Sequence, residues 1–262
     1  MQATTNLSDK IFWHKFDAFY EKFIPKEAKS ILEIGVFKGD SIRYWREKYA
    51  NAQIYGLDII DPLPEWPQDE NIHYFQLDQS DAKRYREILA KIGQPINLLI
   101  EDGSHDPLHQ KISLMESINA LAPGALYILE DLHTSHPSHA YYKARVKEFY
   151  NLGTGFRFFG KEKDRDLFTS LQCLLLIEHC KTNHIQIETI KDKIDFTQSL
   201  FTYDEVALLS NKIKKINIFK RTVLPNYCYA CKTDNFDFIT LKCSCGAKLY
   251  EESDSMTAVL EF

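Results

Sequence analysis

Short apolar runs that alternate with helix-patterned segments constrain this chain more than any other feature. Residues 31–36, 53–59, 96–101 and 125–131 are apolar runs of strand length, and residues 74–77 form a weaker one. Runs this short and this continuous read as strands buried on both faces. Between them, residues 41–49, 81–92 and 108–121 have helical spacing. Asp81 is placed to cap the second helix, and Pro123-Gly124 ends the third before the next strand begins. Strand–helix alternation with short connections predicts a parallel sheet with right-handed crossovers, an α/β, doubly wound, Rossmann-like architecture. Such sheets bind ligands beyond the carboxyl ends of their strands, near the point where strand order reverses.

A chain of 262 residues can bury one full core, and its 44% hydrophobic and 26% charged residues are ordinary for a folded protein. The formal charge of −5 excludes a global positive field, so a nucleic-acid partner is not expected. The polar N-terminus and the lack of a bilayer-length apolar run lead to an expected cytoplasmic location with no membrane partner. An aromatic-rich amphipathic helix is expected over residues 11–23 and another helix over 141–150. Residues 167–180 suit either a buried helix or a strand. Residues 185–190 and 216–223 read as closing strands, with a helix over 203–215. The domain reading is a helical segment over 1–29, the α/β domain over 30–225 and a cysteine-rich tail over 226–262.

The first strand runs into Glu33-Ile-Gly35-Val-Phe-Lys-Gly39-Asp40-Ser41, where glycine lets a ligand approach the backbone closely. The spacing does not match the dinucleotide pattern G-x-G-x-x-G. Asp58 ends the second strand, where an acidic side chain can accept from both ribose hydroxyls of a bound nucleoside. Asp78-Gln79-Ser80-Asp81 follows the third and suits the edge of an adenine ring, although turn and cap roles fit these residues equally.

The sharper signal is Glu101-Asp102-Gly103-Ser104-His105 after the fourth strand, matched by Glu130-Asp131 after the fifth. Neighbouring strand ends face one crevice, so Asp102, Glu130 and Asp131 are expected to converge. Unpaired carboxylates so close repel and take up protons, and a hard divalent cation such as magnesium relieves them. His105 lies three residues beyond Asp102, beside such a cation without having to be a ligand.

With these motifs in order, residues 32–131 resemble the class I methyltransferases. In detail they resemble the magnesium-dependent sugar O-methyltransferases of macrolide biosynthesis, of the mycinamicin and macrocin type, with the cephalosporin-biosynthesis methyltransferase-like protein a further relative. The stretches EIGVFKGDS, LDQSD, DGSH and PGALYILEDL carry the resemblance. It implies S-adenosylmethionine (SAM) contacts from Glu33, Gly35, Gly39, Ser41, Asp58, Asp78, Gln79 and Ser80, magnesium on Asp102, Glu130 and Asp131, and His105 as general base. The implied reaction is methylation of a hydroxyl on a sugar or glycosylated small molecule whose diol meets the metal. A homo-oligomer is compatible with it.

The histidines of Leu132-His133-Thr-Ser-His136-Pro-Ser-His139 read as a solvated loop over the acceptor. Four of the six cysteines, Cys228, Cys231, Cys243 and Cys245, fall in two short pairs 11 residues apart. That spacing suits a four-cysteine zinc hairpin around a strand at 236–241, against free thiols or a disulfide. Lys212, Lys214, Lys215, Lys220 and Arg221 read as a solvated basic face. The alternative function is a catalytically silent scaffold whose zinc tail binds a protein or nucleic-acid partner. A nucleotide-dependent oxidoreductase is disfavoured by the missing dinucleotide pattern.

Overall fold

A computed structural model describes residues 9–152, 166–251 and 255–262. Seven strands make one sheet: β1 (Ser30–Ile34), β2 (Gln53–Asp58), β3 (Ile72–Gln76), β4 (Ile96–Glu101), β5 (Leu121–Leu129), β6 (Lys215–Lys220) and β9 (Met256–Glu261), in the order β3-β2-β1-β4-β5-β9-β6. The first five are parallel, and β9 runs antiparallel between β5 and β6. Strand order reverses between β1 and β4, which opens a crevice at their carboxyl ends.

Alternation along the strands divides the core. Leu32 and Ile34 of β1 face a layer that includes Tyr85, Leu114, Leu174 and Leu209, from α4 (Ala82–Ile92), α5 (Pro107–Ser117), α7 (Ser170–Thr182) and α8 (Tyr203–Lys212). Ile31, Ile54, Leu98 and Ile128 face the other layer, with Phe16, Tyr20 and, from α3 (Asp40–Lys48), Trp45. Asp81 caps α4 by accepting from the Arg84 amide, and residues 170–182 resolve as helix because Thr169 and Gln172 form a capping box. The helix expected over 141–150 is α6 (Ala140–Leu152).

Four elements differ from the sequence reading. Pro123-Gly124, expected to end the third helix before the next strand, lie inside β5 (Leu121–Leu129), and the helix already ends at Ser117. The helix expected over 11–23 is two short turns, α1 (Asp9–Phe12) and α2 (Asp17–Tyr20), broken where Lys15 adopts a left-handed φ of 62°. The break turns Phe12 and Trp13 toward the cysteine tail while Phe16, Phe19 and Tyr20 pack on the sheet. Residues 185–190 hold no closing strand. A 3-10 segment, Ile187–Lys193, stands there, burying Ile187 and Ile190 at a spacing of three. The closing strand is β9, so residues 226–262 are not a tail as a whole, and the cysteine hairpin is an excursion between β6 and β9. Within it, β7 (Phe236–Asp237) and β8 (Lys242–Cys243) make a two-stranded ladder, shorter than the strand expected at 236–241. Arg221 is likewise not part of a solvated face. It is fully buried, donating to the carbonyls of Val223 and Leu249 and lying over Trp13. Among the described residues, no helix is long and apolar enough to cross a membrane.

Candidate active site

The carboxyl ends of β1 and β4 touch. The Asp102 amide donates to the Ile34 carbonyl at 2.9 Å, and a Cβ added to Gly35 (φ 93°) would lie 1.9 Å from the Asp102 carbonyl oxygen. Only glycine fits there. Beside this contact opens a cavity of about 670 Å³, lined among others by Gly35, Asp58, Asp78, Gln79, Asp102, His105, Glu130 and Asp131. A cavity of this size suits a nucleoside-sized ligand.

The expected cofactor residues divide in their placement. Asp58 accepts from the amides of Val36 and Phe37 through Oδ2 and from Ile60 through Oδ1, so it ties the glycine turn to the second strand end while facing the cavity. Gln79 lines the cavity, but its amide is spent inside the protein. Nε2 donates to Glu101 and to Ser113 Oγ, and Oε1 accepts from the Ser104 amide, so Gln79 shapes the loop that carries Asp102 and His105. Ser80 bonds Asp78 and does not line that cavity. Gly39 does not line it either; a Cβ there would sit 2.7 Å from Pro67 Cδ, so this glycine serves packing under Trp66–Pro67. Ser41 lines a smaller neighbouring cavity of about 340 Å³, and Glu33 is fully buried behind the carboxylates. Ser104, which hydrogen-bonds His109 at 2.7 Å, and exposed Phe37, Ile59 and Ile60 also line this cavity, although sequence reasoning assigned none of them a site role. Their polar or isolated apolar character carries no signal before the fold is known.

At the metal end, Asp102, Glu130, Asp131 and His105 come together, but not as an open three-carboxylate set. Lys10 Nζ lies 2.7 Å from both Asp102 Oδ2 and Glu130 Oε1, and 3.5 Å from Glu33 Oε1. Sequence reasoning missed this lysine, which sits in a polar segment 120 residues from Glu130. The atoms that cluster closely enough for a cation are those of Asp102, His105 and Asp131, within 4.8 Å of one another. Asp131 Oδ1 is buried without a hydrogen-bond partner, as expected of an oxygen that awaits a ligand. The two carboxylates fit a hard divalent cation, with His105 beside it.

His105 Nδ1 stands 3.1 Å from Asp131 Oδ2. Burial opposes charge on the ring, yet Asp131, Asp102 and Glu101 outweigh it and raise the imidazole above its ordinary range. Burial pushes Glu33 and Glu101 each up to about 7, and Glu130 and Asp102 also rise. Burial opposes the Asp131 carboxylate too, but His105, His14 and His133 hold it below its usual value. His105 and Asp131 both occupy left-handed backbone, at φ 60° and 49°. Two such residues facing each other mark stored strain of the kind found at functional sites. His133 is not on a solvated loop: it lies 3.6 Å from Asp131 Oδ1, and burial lowers it to about 4.

In the hairpin, Sγ of Cys228, Cys231, Cys243 and Cys245 all lie within 4.8 Å, with Cys228–Cys245 at 3.6 Å and Cys231–Cys243 at 3.4 Å. A tetrahedron of Zn–S bonds of about 2.3 Å has edges of roughly 3.8 Å. These separations therefore suit a shared ion. All four are free cysteines.

The parallel strands, the switch-point crevice and the single reversed strand beside β5 define the class I methyltransferase fold. A solved mycinamycin-pathway methyltransferase in complex with Mg, SAH and mycinamycin VI matches it at a TM-score of 0.52, with 24% identity over 79% of this chain and 47% of that one. No family model matches the chain. Its curated relatives include O-methyltransferases of glycosylated natural products and, at lower identity, a ribosomal RNA large subunit methyltransferase. The tetracenomycin-C rhamnosyl 2'-O-methyltransferase of Streptomyces olivaceus is 35% identical over 139 residues, 49% of this chain and 36% of that protein. The mycinamicin VI 2''-O-methyltransferase of Micromonospora griseorubida is 33% identical over 135 residues, 48% of this chain and 33% of that protein. The chain thus spans about a third of the length of these relatives.

Proposed function

We propose that this chain moves the methyl group of SAM to a hydroxyl of a sugar or glycosylated small molecule, with a divalent cation, magnesium or similar, at Asp102 and Asp131. One observation carries the reading: acidic residues and a histidine meet beside a nucleoside-sized cavity at the β1–β4 switch point. Gly35 lets the ends of β1 and β4 meet at the cavity wall, and Asp58 and Asp78 offer acceptors for ribose hydroxyls and the base. When bound, the cation supplies Lewis acidity that lowers the pKa of an acceptor diol. Asp131 holds His105 through Nδ1, which leaves Nε2 to accept the acceptor's hydroxyl proton. Trapping the nucleophile beside the methyl donor supplies most of the rate.

The test is methyl transfer from labelled SAM to a panel of nucleotide sugars and glycosides, with and without chelator. Transfer to at least one hydroxyl, lost on chelation, is expected. SAM bound without any transfer across the panel would favour the silent scaffold instead.

The cysteine hairpin is proposed to hold structural zinc. Its small ladder buries little apolar surface, and a metal supplies the folding energy such segments lack. The Cys245 amide holds the Cys243 thiol down to about 6, which favours the thiolate that zinc needs. Purified protein is expected to carry about one zinc per chain, and strong chelation to lower its thermal midpoint. Protein free of zinc with an unchanged midpoint would remove the assignment.

A further inference from the structure

Lys10 stands where a cation bridging Asp102 and Glu130 would stand. Its ammonium is equidistant, at 2.7 Å, from one oxygen of each. A divalent ion holds such oxygens at about 2.0–2.1 Å and would need the same place. Ammonium and metal cannot share it, and at adjacent places the two like charges repel. Lys10 also lines both cavities.

What holds Lys10 there is the cysteine hairpin. Phe12 and Trp13, two and three residues further on, are buried in one cluster with Cys228, Cys243 and Leu249. The Asn226 amide donates to the Phe12 carbonyl at 2.9 Å, and Lys232 lies 4.4 Å from the Phe12 ring. Trp13 meets Tyr229 edge-on at 4.8 Å on one side and Arg221 at 4.8 Å on the other. A 2.8 Å bond from the Phe16 amide to the Lys10 carbonyl closes the segment on itself. His14 bonds Ser255 at 2.8 Å, just before β9. Residues 10–16 thus form a strap with its lysine in the acidic cluster, Phe12 and Trp13 on the hairpin and Phe16 on the sheet.

We infer that Lys10 is a tethered counterion that competes with a divalent cation for the Asp102–Glu130 carboxylates, and that the cysteine hairpin is the clamp that keeps it seated. The inference rests on the proposed metal reading and gives the hairpin a role in it: hairpin integrity sets how tightly the acidic site takes metal. Withdrawal of the strap frees Glu130 to join Asp102 and Asp131. With the strap seated, cations are left with Asp102 and Asp131 alone, beside His105.

The experiment is Mn²⁺ titration of the full chain, read by the paramagnetic resonance signal of the free ion, alongside SAM binding by calorimetry. Lys10→Met is expected to tighten Mn²⁺ binding by about tenfold or more, while Lys10→Arg stays near wild type. The double variant Cys231→Ser/Cys245→Ser is expected to lose zinc and also bind Mn²⁺ more tightly, because the strap is released. Trp13→Ala should do the same with the zinc ligands intact. A cooperative thermal transition in each variant shows that the sheet is folded. Unchanged or weaker Mn²⁺ binding in Lys10→Met overturns the counterion, and leaves methyl transfer standing. Tighter binding in Lys10→Met with no change in the hairpin and Trp13 variants overturns the clamp. If neither wild type nor Lys10→Met takes up Mn²⁺ while SAM still binds, the metal assignment falls and the inference with it.

Discussion

His105→Ala is expected to lower kcat by about 10²- to 10⁴-fold while SAM affinity stays within a few-fold of wild type. His105 stands at 31% side-chain exposure on the cavity wall, with the Asp131 carboxylate 3.1 Å and the Asp102 carboxylate 3.9 Å from its Nδ1. Removing the ring therefore costs little packing. It deletes the group proposed to accept a proton and frees Asp131 to turn. Asp131→Asn is a useful companion: an amide can still meet His105, but it presents a weaker ligand and can hold the wrong ring tautomer. A kcat loss in both variants, with calorimetric SAM binding retained, is the expected pattern. Wild-type rates in His105→Ala would remove this histidine from proton transfer.

Gly35→Ala is expected to be the most damaging glycine-to-alanine change among the described residues. The added carbon meets the Asp102 carbonyl oxygen at 1.9 Å and its carbon at 2.6 Å, both backbone atoms, at a left-handed φ of 93°. Left-handed backbone costs a non-glycine residue about 1–2 kcal/mol, and overpacking typically adds about 1–3. Together these take a large share of the roughly 5–15 kcal/mol that holds a domain of this kind together. Separating β1 from β4 also widens the crevice in which ligands sit. Soluble yield, the denaturation midpoint and SAM binding should fall together. A protein with an ordinary midpoint that still binds SAM would contradict the contact. Gly124→Ala serves as a control, since φ is also positive there but the added carbon meets nothing within 4 Å.

Much of the sheet is legible in the sequence because buried parallel strands must be apolar on both faces, and residues such as Ile31, Leu32, Leu98 and Leu99 meet that demand. The acidic strand ends stand out for the same reason: Asp102 and Asp131 interrupt runs that packing alone would keep apolar. Long-range tertiary choices are not legible. Residues 185–190 alternate like a strand, yet Ile187 and Ile190 are also three apart, and packing against α7 and α8 chooses the 3-10 turn. The last strand, Met256–Glu261, follows the cysteines closely and reads as part of their hairpin until its pairing with β5 and β6 is seen. Lys10 is the deepest omission. Nothing around it in the sequence distinguishes it from a surface lysine, and only the backbone break at Lys15 and the grip of the hairpin on Phe12 and Trp13 carry it to the carboxylates. Gln79 has a second role that the sequence does not show. It lies where a cofactor contact is expected, but three internal hydrogen bonds make it a support for the DGSH loop.

The most direct test puts Mn²⁺ in the site together with SAM carrying a ¹³C methyl group, and reads the relaxation of that carbon. An ion seated on Asp102 and Asp131 beside the cavity should relax it strongly, and the effect should vanish in Asp102→Asn and Asp131→Asn proteins that still bind SAM. Bound Mn²⁺ and bound SAM with an unrelaxed methyl carbon would mean that the acidic cluster and the methyl donor do not share one site.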